Sequence, residues 1–362
     1  MIDQGKGNQI NAKKLFGSLT LDVIARCAFA TETNAHENPD DPFVTAVRDF
    51  FHINRFKVIL KLMLPRFIKD WLNLTGDPDH AVRYFVSAAK HILRQRELEG
   101  RTSKRLYPDL LHLMMTAGKE KDSNNNPSEV VDNESHYDHG NQDWKNETQD
   151  KTSLTEQEVI ANIILVMAAG YDTTATTITY TCYALALNQD IQDKLRQEVM
   201  SAGEDLSYET LSSLKYLDAV IQETLRVFPA VVRIERIAQQ DWSLETDGKE
   251  IEIKKGSVIY IPIYCIHHDK DFYEDPEEYR PERFLPENKD KLIPYTYLPF
   301  VSGPRNCIGM RFALMEAKLC LAKLIRRYRI KRVDKTAVPL DFSNSNVLLQ
   351  AKEVIIGIEK II

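Results

Sequence analysis

The sequence lacks what several protein classes need. Its five cysteines, Cys27, Cys182, Cys265, Cys307 and Cys320, are scattered, and no two form a Cys-x-x-Cys pair. Neither a zinc site nor a disulfide framework follows, and reduced thiols in a cytosol-facing protein fit best. There is no basic excess: 47 Lys and Arg face 53 Asp and Glu, a net charge of -6, which gives no case for nucleic acid. The first residues, Met1 to Gly7, are polar, so neither a signal peptide nor an anchor is expected there. The most apolar stretch, Val159 to Ala169, is shorter than the ~20 residues a span needs and runs into Asp172. It reads as a helix buried in a large core. No internal repeat is evident.

What is present is mostly helical pattern. Apolar spacing predicts helices over 12–30, 42–56, 80–99 and 106–117. The stretch 119–153 is polar and rich in Asn, Asp and Glu, and is expected to be a flexible surface loop. Order resumes at Ser153-Leu154-Thr155-Glu156, a capping-box pattern, with Thr155 to Glu158 as a second frame. Helices are expected over 156–188, 190–202, 207–213 and 215–228, the last stopped by Pro229. Lys249–Ile253 and Val258–Tyr264 read as two strands of a hairpin turning at Lys254-Lys255-Gly256. The expected fold class is mainly α with a small β part.

One ten-residue segment carries the chemistry: Phe300-Val301-Ser302-Gly303-Pro304-Arg305-Asn306-Cys307-Ile308-Gly309. It places a single cysteine in a glycine-flanked loop directly before a helical run. Gly303 and Gly309 let backbone turn close to a flat cofactor. The helix start would offer N–H groups and positive dipole to the sulfur and keep it deprotonated. Arg305 could pair with a cofactor carboxylate. Cys320 falls inside the helix and is expected to be inert.

Three further groups stand out. Ala168-Ala169-Gly170-Tyr171-Asp172-Thr173-Thr174 thins one helix face and places a carboxylate and a hydroxyl there, able to relay protons. Ordinary close helix packing is the competing reading. Glu223 and Arg226 stand at i, i+3 on one helical face, and Arg283 follows in Pro281-Glu282-Arg283-Phe284. His267-His268 looks metal-like but is rejected, because strand neighbours point to opposite faces.

The cysteine segment reads F-x-x-G-x-R-x-C-x-G and resembles the haem-binding loop of the cytochromes P450, closest to the microsomal drug- and steroid-oxidising branch. The resemblance runs from about Leu15 to the end, and implies one catalytic domain over 1–362. It implies haem b with Cys307 as axial thiolate, cradled by Phe300 and Gly309, with Arg305 and Arg236 as propionate partners and Arg233 as the near alternative. It implies that Thr173 and Asp172 deliver protons on the opposite haem face. Glu223, Arg226 and Arg283 would form a buried network supporting the cysteine loop. Leu165, Ala168, Ala169, Ala230, Val231, Val232 and Leu348 match positions lining a substrate cavity, with plain core packing as the alternative for each. The implied activity is monooxygenation of apolar steroids, lipids or xenobiotics, using NADPH through a flavoprotein reductase. The cytosolic face of the endoplasmic reticulum membrane is the implied location.

One departure is large. Family chains carry an anchor, early strands, first helices and a W-x-x-x-R pair ahead of this point, and Trp71, Trp144 and Trp242 have no Arg at that spacing. Either an incomplete sequence or an N-terminally truncated product is therefore expected, one that holds haem weakly or folds incompletely. Two rivals remain: a haem-thiolate isomerase of lipid peroxides, which commonly lacks the acid–threonine pair, and a non-catalytic interaction protein.

Overall fold

The structure is a computed structural model that describes residues 9–30, 35, 80–102, 109–116, 154–246, 248–343 and 347–361. The expected helix at 42–56 and the polar loop at 119–153 lie outside them. The described residues fall into two compact units. One holds 9–16 and 173–361; the other holds 17–30, 35, 80–102, 109–116 and 154–172.

The second unit is helical. It contains most of α1 (Ala12–Phe29), all of α2 (His80–Thr102) and α3 (Leu110–Thr116), and the first half of α4 (Glu156–Leu187). Leu21, Phe29, Phe85, Leu111, Ile163 and Met167 form its core. Asp109 ties the elements: one carboxylate oxygen accepts the His112 N–H at 2.8 Å, and the other pairs with Arg96 at 2.7 Å. The start of α4 uses the second capping frame. Glu158 N–H donates to Thr155 Oγ1 at 3.3 Å, and Thr155 N–H donates to Glu158 Oε2 at 2.8 Å.

The first unit carries the rest of α4, then α5 (Gln189–Ser201), α6 (Tyr208–Ser213), α7 (Lys215–Val227) and α9 (Met310–Arg327), with a short α8 (Ile263–His267) between. α7 is buried from Ala219 to Val227 and stops before Pro229, which cannot continue a helix. α4 is the one helix among the described residues long and apolar enough to cross a membrane. Its second half is packed inside protein: Ile178, Tyr180, Cys182 and Leu185 are all buried. That is the pattern of a core helix.

Three small antiparallel sheets complete this unit. β1 (Gln9–Asn11), β7 (Ile355–Lys360) and β6 (Tyr328–Lys331) form one, in that order. β1 was not anticipated from the sequence. The expected hairpin is wrong in its pairing. β4 (Lys249–Ile253) pairs with β3 (Trp242–Thr246), and β5 (Val258–Ile261) pairs with β2 (Ile234–Ile237). The turn at Gly256 (φ +84°) binds Ala238 on both sides: Gly256 N–H donates to Ala238 O at 2.8 Å, and Ala238 N–H donates to Ser257 O at 3.0 Å. That steers the chain to a different partner strand. Gly248 (φ +69°) makes the tight turn between β3 and β4, and Asp247-Gly248 was the overlooked signal. The strand expected over 258–264 ends at Ile261, because Pro262 caps α8.

Candidate active site

Cys307 sits in a loop closed by its own backbone. Its N–H donates to Phe300 O at 2.9 Å, and Asn306 N–H donates to Gly303 O at 3.0 Å. Gly303 (φ +87°) and Val301 (φ +64°) both take left-handed conformations, free for glycine and costly for valine. Gly309 caps α9 without a side-chain bond. A Cβ added at Gly309 would lie 4.0 Å from the sulfur, so glycine leaves that side open. Ile308, beside the thiol, is 100% exposed.

The helix start is only part of what acts on the Cys307 sulfur. Partial burial pushes its thiol up, and the Gly309 N–H pulls the other way without prevailing. No cation in the loop outweighs desolvation. A metal would, because a coordinating thiol loses its proton outright. Burial acts on two other thiols as well: Cys320 is pushed up to about 12, and Cys182 lies well above its ordinary value. Both are poor ligands.

The donor set suits an iron that brings its own ligands. Among the described residues, no three His, Cys, Asp or Glu side chains gather to hold a bare metal ion. One exposed thiol beside a fully exposed isoleucine presents a surface that a flat apolar macrocycle would cover. Arg305 is exposed and has no carboxylate partner among the described residues. The two arginines near β2 differ. Arg233 pairs with Glu235 at 3.1 Å and lies 5.0 Å over the Tyr260 ring. Arg236 is exposed, and its Nη1 meets only the Glu235 carbonyl, at 2.8 Å. Its charge is therefore the one left available for an anion.

Behind the loop lies a buried polar network. Arg226 grips both oxygens of Glu223 at 2.8 Å, with both side chains 0% exposed. It also donates to His267 O at 2.9 Å and Glu278 O at 3.1 Å. Arg283 Nε stands 3.5 Å from Glu223 Oε1, and the Arg280 N–H donates to that same oxygen at 2.8 Å. The structure thus brings Glu223, Arg226 and Arg283 together. Sequence reasoning missed the link to the loop, His267. Its Nε2 accepts the Leu298 N–H at 2.8 Å, two residues before Phe300, and its ring stacks on Tyr297 at 5.5 Å. His267 and His268 lie at the end of α8 and not on the expected strand, and both ring nitrogens of His267 are engaged, Nδ1 at 3.2 Å from Arg226 O and Nε2 by Leu298 N–H. Burial depresses His267 to about 3.

That depression has a sign. An unfolded histidine takes up a proton below about 6.5, whereas the buried ring refuses it until about 3. Stability from this group is complete above 6.5 and is lost as pH falls through that window. Urea unfolding should show the chain weakening by about 2 kcal/mol more than His267→Gln between pH 6.5 and 5. Equal slopes would mean that His267 is not held neutral.

On α4 the small residues have a structural occupant. A Cβ at Gly170 would come within 3.0 Å of Ile24 Cδ1, and one at Gly17 within 3.2 Å of Tyr171 Oη. The close approach at Gly170 is therefore α1 packing on α4. Thr20 Oγ1 donates to the Tyr171 carbonyl at 2.9 Å in the same contact. Asp172 is buried and Thr173 half-buried, and the Thr173 carbonyl accepts the Thr177 hydroxyl at 2.9 Å. Leu165 is 64% exposed, Ala169 is exposed and Ala168 half-buried. In the other unit Val231 pairs with Leu348, and their neighbours bond too: Val232 N–H donates to Val347 O at 2.8 Å, and Leu349 N–H donates to Ala230 O at 3.0 Å. The structure brings these four residues, Ala230, Val231, Val232 and Leu348, into one strap.

A profile of the cytochrome P450 family matches residues 1–358. The chain belongs to the cytochrome P450 family. This P450 is similar to Cytochrome P450 3A11 of Mus musculus, 34% identical over 361 residues, 98% of the chain and 65% of that relative. It is similar to Cytochrome P450 3A2 of Rattus norvegicus, 35% identical over 360 residues, 97% of the chain and 65% of the relative. Cytochrome P450 3A5 of Homo sapiens is 33% identical over 361 residues, 98% and 65% respectively. The chain thus spans about 65% of the length of these relatives. The family binds haem through a cysteine thiolate, and the P450 described here offers one cysteine in the matching loop.

Proposed function

We propose that this P450 is a haem-thiolate monooxygenase of apolar organic molecules, a steroid, lipid or xenobiotic, with residues 1–362 acting as one catalytic domain. The observation that carries the reading is Cys307, an exposed thiol in a backbone-locked loop at the start of α9. Bound haem b supplies the oxygen chemistry: R–H, O₂, NADPH and a proton become R–OH, water and NADP⁺, and a thiolate ligand favours O–O cleavage. Cys307 holds the iron. Arg305 and Arg236 take the cofactor carboxylates as charge-assisted donors. Thr173 Oγ1 holds a proton at the oxygen site, and Asp172 replenishes it. Leu165, Ala168, Ala169, Ala230, Val231, Val232 and Leu348 exclude water and orient the substrate. The setting is the cytosolic face of the endoplasmic reticulum membrane.

The electron donor is an NADPH-dependent flavoprotein reductase. The basic run Lys323, Arg326, Arg327, Arg329, Lys331 and Arg332 is the candidate dock, with a solvated helix end as the alternative reading. Part of that run is engaged elsewhere. Arg326 donates to Val199 O at 3.1 Å and Glu204 O at 3.2 Å, closing the end of α5. Arg329 pairs with Asp193 at 2.5 Å, and Lys331 pairs with Glu359. Lys323, Arg327 and Arg332 remain as exposed cations with no carboxylate partner among the described residues. Lys323→Glu with Arg327→Glu should lower reductase-driven turnover, most at low salt, because exposed charges more than ~8 Å apart are largely screened at physiological ionic strength, and should spare peroxide-driven turnover, which needs no reductase. Equal loss in both assays would contradict docking there.

The test of the function itself uses the full chain loaded with haem, reductase, NADPH and ¹⁸O₂. One ¹⁸O per product molecule is expected. Turnover of a lipid peroxide without O₂, NADPH or reductase would instead favour the isomerase.

A further inference from the structure

The residues proposed to line the substrate cavity in the first unit are held by a tyrosine outside the expected site. The strap is a small three-segment sheet. Its middle segment, 347–352, bonds to 230–232 on one side. On the other it bonds to 341–343, where Ser343 N–H donates to Gln350 O at 2.7 Å and Lys352 N–H donates to Asp341 O at 3.0 Å. None of these bonds reaches α4. Tyr180 does. Its hydroxyl donates to Leu349 O at 2.7 Å and accepts the Ala351 N–H at 2.8 Å. The side chain is 2% exposed, so water cannot replace either bond.

The ring is fixed as firmly as the hydroxyl. The Tyr180 ring lies tilted, 5.3 Å from that of Phe228, which leads into Pro229 and the Ala230 segment, and edge-on, 6.1 Å from that of Phe342 in the third segment. Tyr180 lies seven residues beyond Thr173 on α4, about 10 Å along the axis and on nearly the same face. One side chain therefore couples the strap carrying Val231 and Leu348 to the helix carrying Thr173.

We infer that Tyr180 is a positioning residue: its hydroxyl sets where the strap presents Leu348 and Val231 relative to Thr173, and thereby which substrate C–H is attacked. The inference rests on the proposed monooxygenase reading. Tyr180 touches no reacting atom in this account; it acts through the strap. A neighbour provides the control. Tyr183 joins the same aromatic cluster, 6.0 Å from Phe228, and among the described residues no bond runs from its hydroxyl to the strap.

Tyr180→Phe keeps the rings and removes only the clamp. In the haem-loaded full chain, the Ala351 amide should exchange at least about fivefold faster, because its buried partner is gone. With testosterone as probe and reductase as donor, KM should rise about fivefold or more and kcat should stay within about twofold. The ratio of hydroxylated positions should change. Haem per chain and the carbon-monoxide spectrum should match the wild type, and Tyr183→Phe should alter none of these. Unchanged Ala351 exchange, or an unchanged product ratio beside faster exchange, would overturn the positioning role. A wild-type chain with full haem that oxidises nothing would overturn the monooxygenase reading instead, and the amide exchange would still decide the clamp.

Discussion

Arg226→Ala is expected to lower the unfolding free energy by about 3–5 kcal/mol, a large share of the ~5–15 kcal/mol that holds a domain together. The reason is the group left behind. Glu223 is 0% exposed, and Arg226 meets both of its oxygens at 2.8 Å. Without Arg226 the carboxylate keeps the Arg280 N–H and a more distant Arg283 Nε at 3.5 Å. Two carbonyls, of His267 and Glu278, lose a donor as well. The His267 link to Leu298 N–H then loosens, and with it the approach to the cysteine loop. Haem retention should fall together with stability. Glu223→Gln added to Arg226→Ala should recover part of the loss, because it removes the unpaired charge. Chemical denaturation checks both; a loss under about 1 kcal/mol would show that the network is peripheral.

Thr173→Ala should separate electron consumption from product. A positioned proton donor is worth about 10²–10⁴ in rate. Thr173 is half-buried on α4, and its carbonyl, not its hydroxyl, is used by Thr177, so removing Oγ1 leaves that helix bond in place. Haem content and substrate affinity should persist while product per NADPH collapses and peroxide rises. Unchanged coupling would remove Thr173 from the mechanism.

Much of this was readable in the residues. Helix periodicity placed α4, α5, α6 and α7 within a residue or two, because long amphipathic patterns with caps such as Thr155 and stops such as Pro229 are local signals. The cysteine loop was readable because its glycines, arginine and cysteine sit at fixed spacing in one short segment. Strand partners were not: β4 and β5 look like a hairpin until Gly256 is seen bonded to Ala238, a choice made by backbone geometry. The buried polar ties were also hidden. His267, Tyr180 and the Lys318–Asp218 pair at 2.8 Å each join segments far apart in sequence, and no local pattern marks them. Gly170 was legible as a close approach, but its occupant, Ile24, was not.

The central claim is that Cys307 is the iron's thiolate ligand. The most direct measurement is the reduced, carbon-monoxide difference spectrum of the haem-loaded chain, compared with Cys307→Ala and Cys320→Ala. The account predicts a thiolate signature in the wild type and in Cys320→Ala, and its complete loss in Cys307→Ala. A thiolate signature that survives in Cys307→Ala would contradict it.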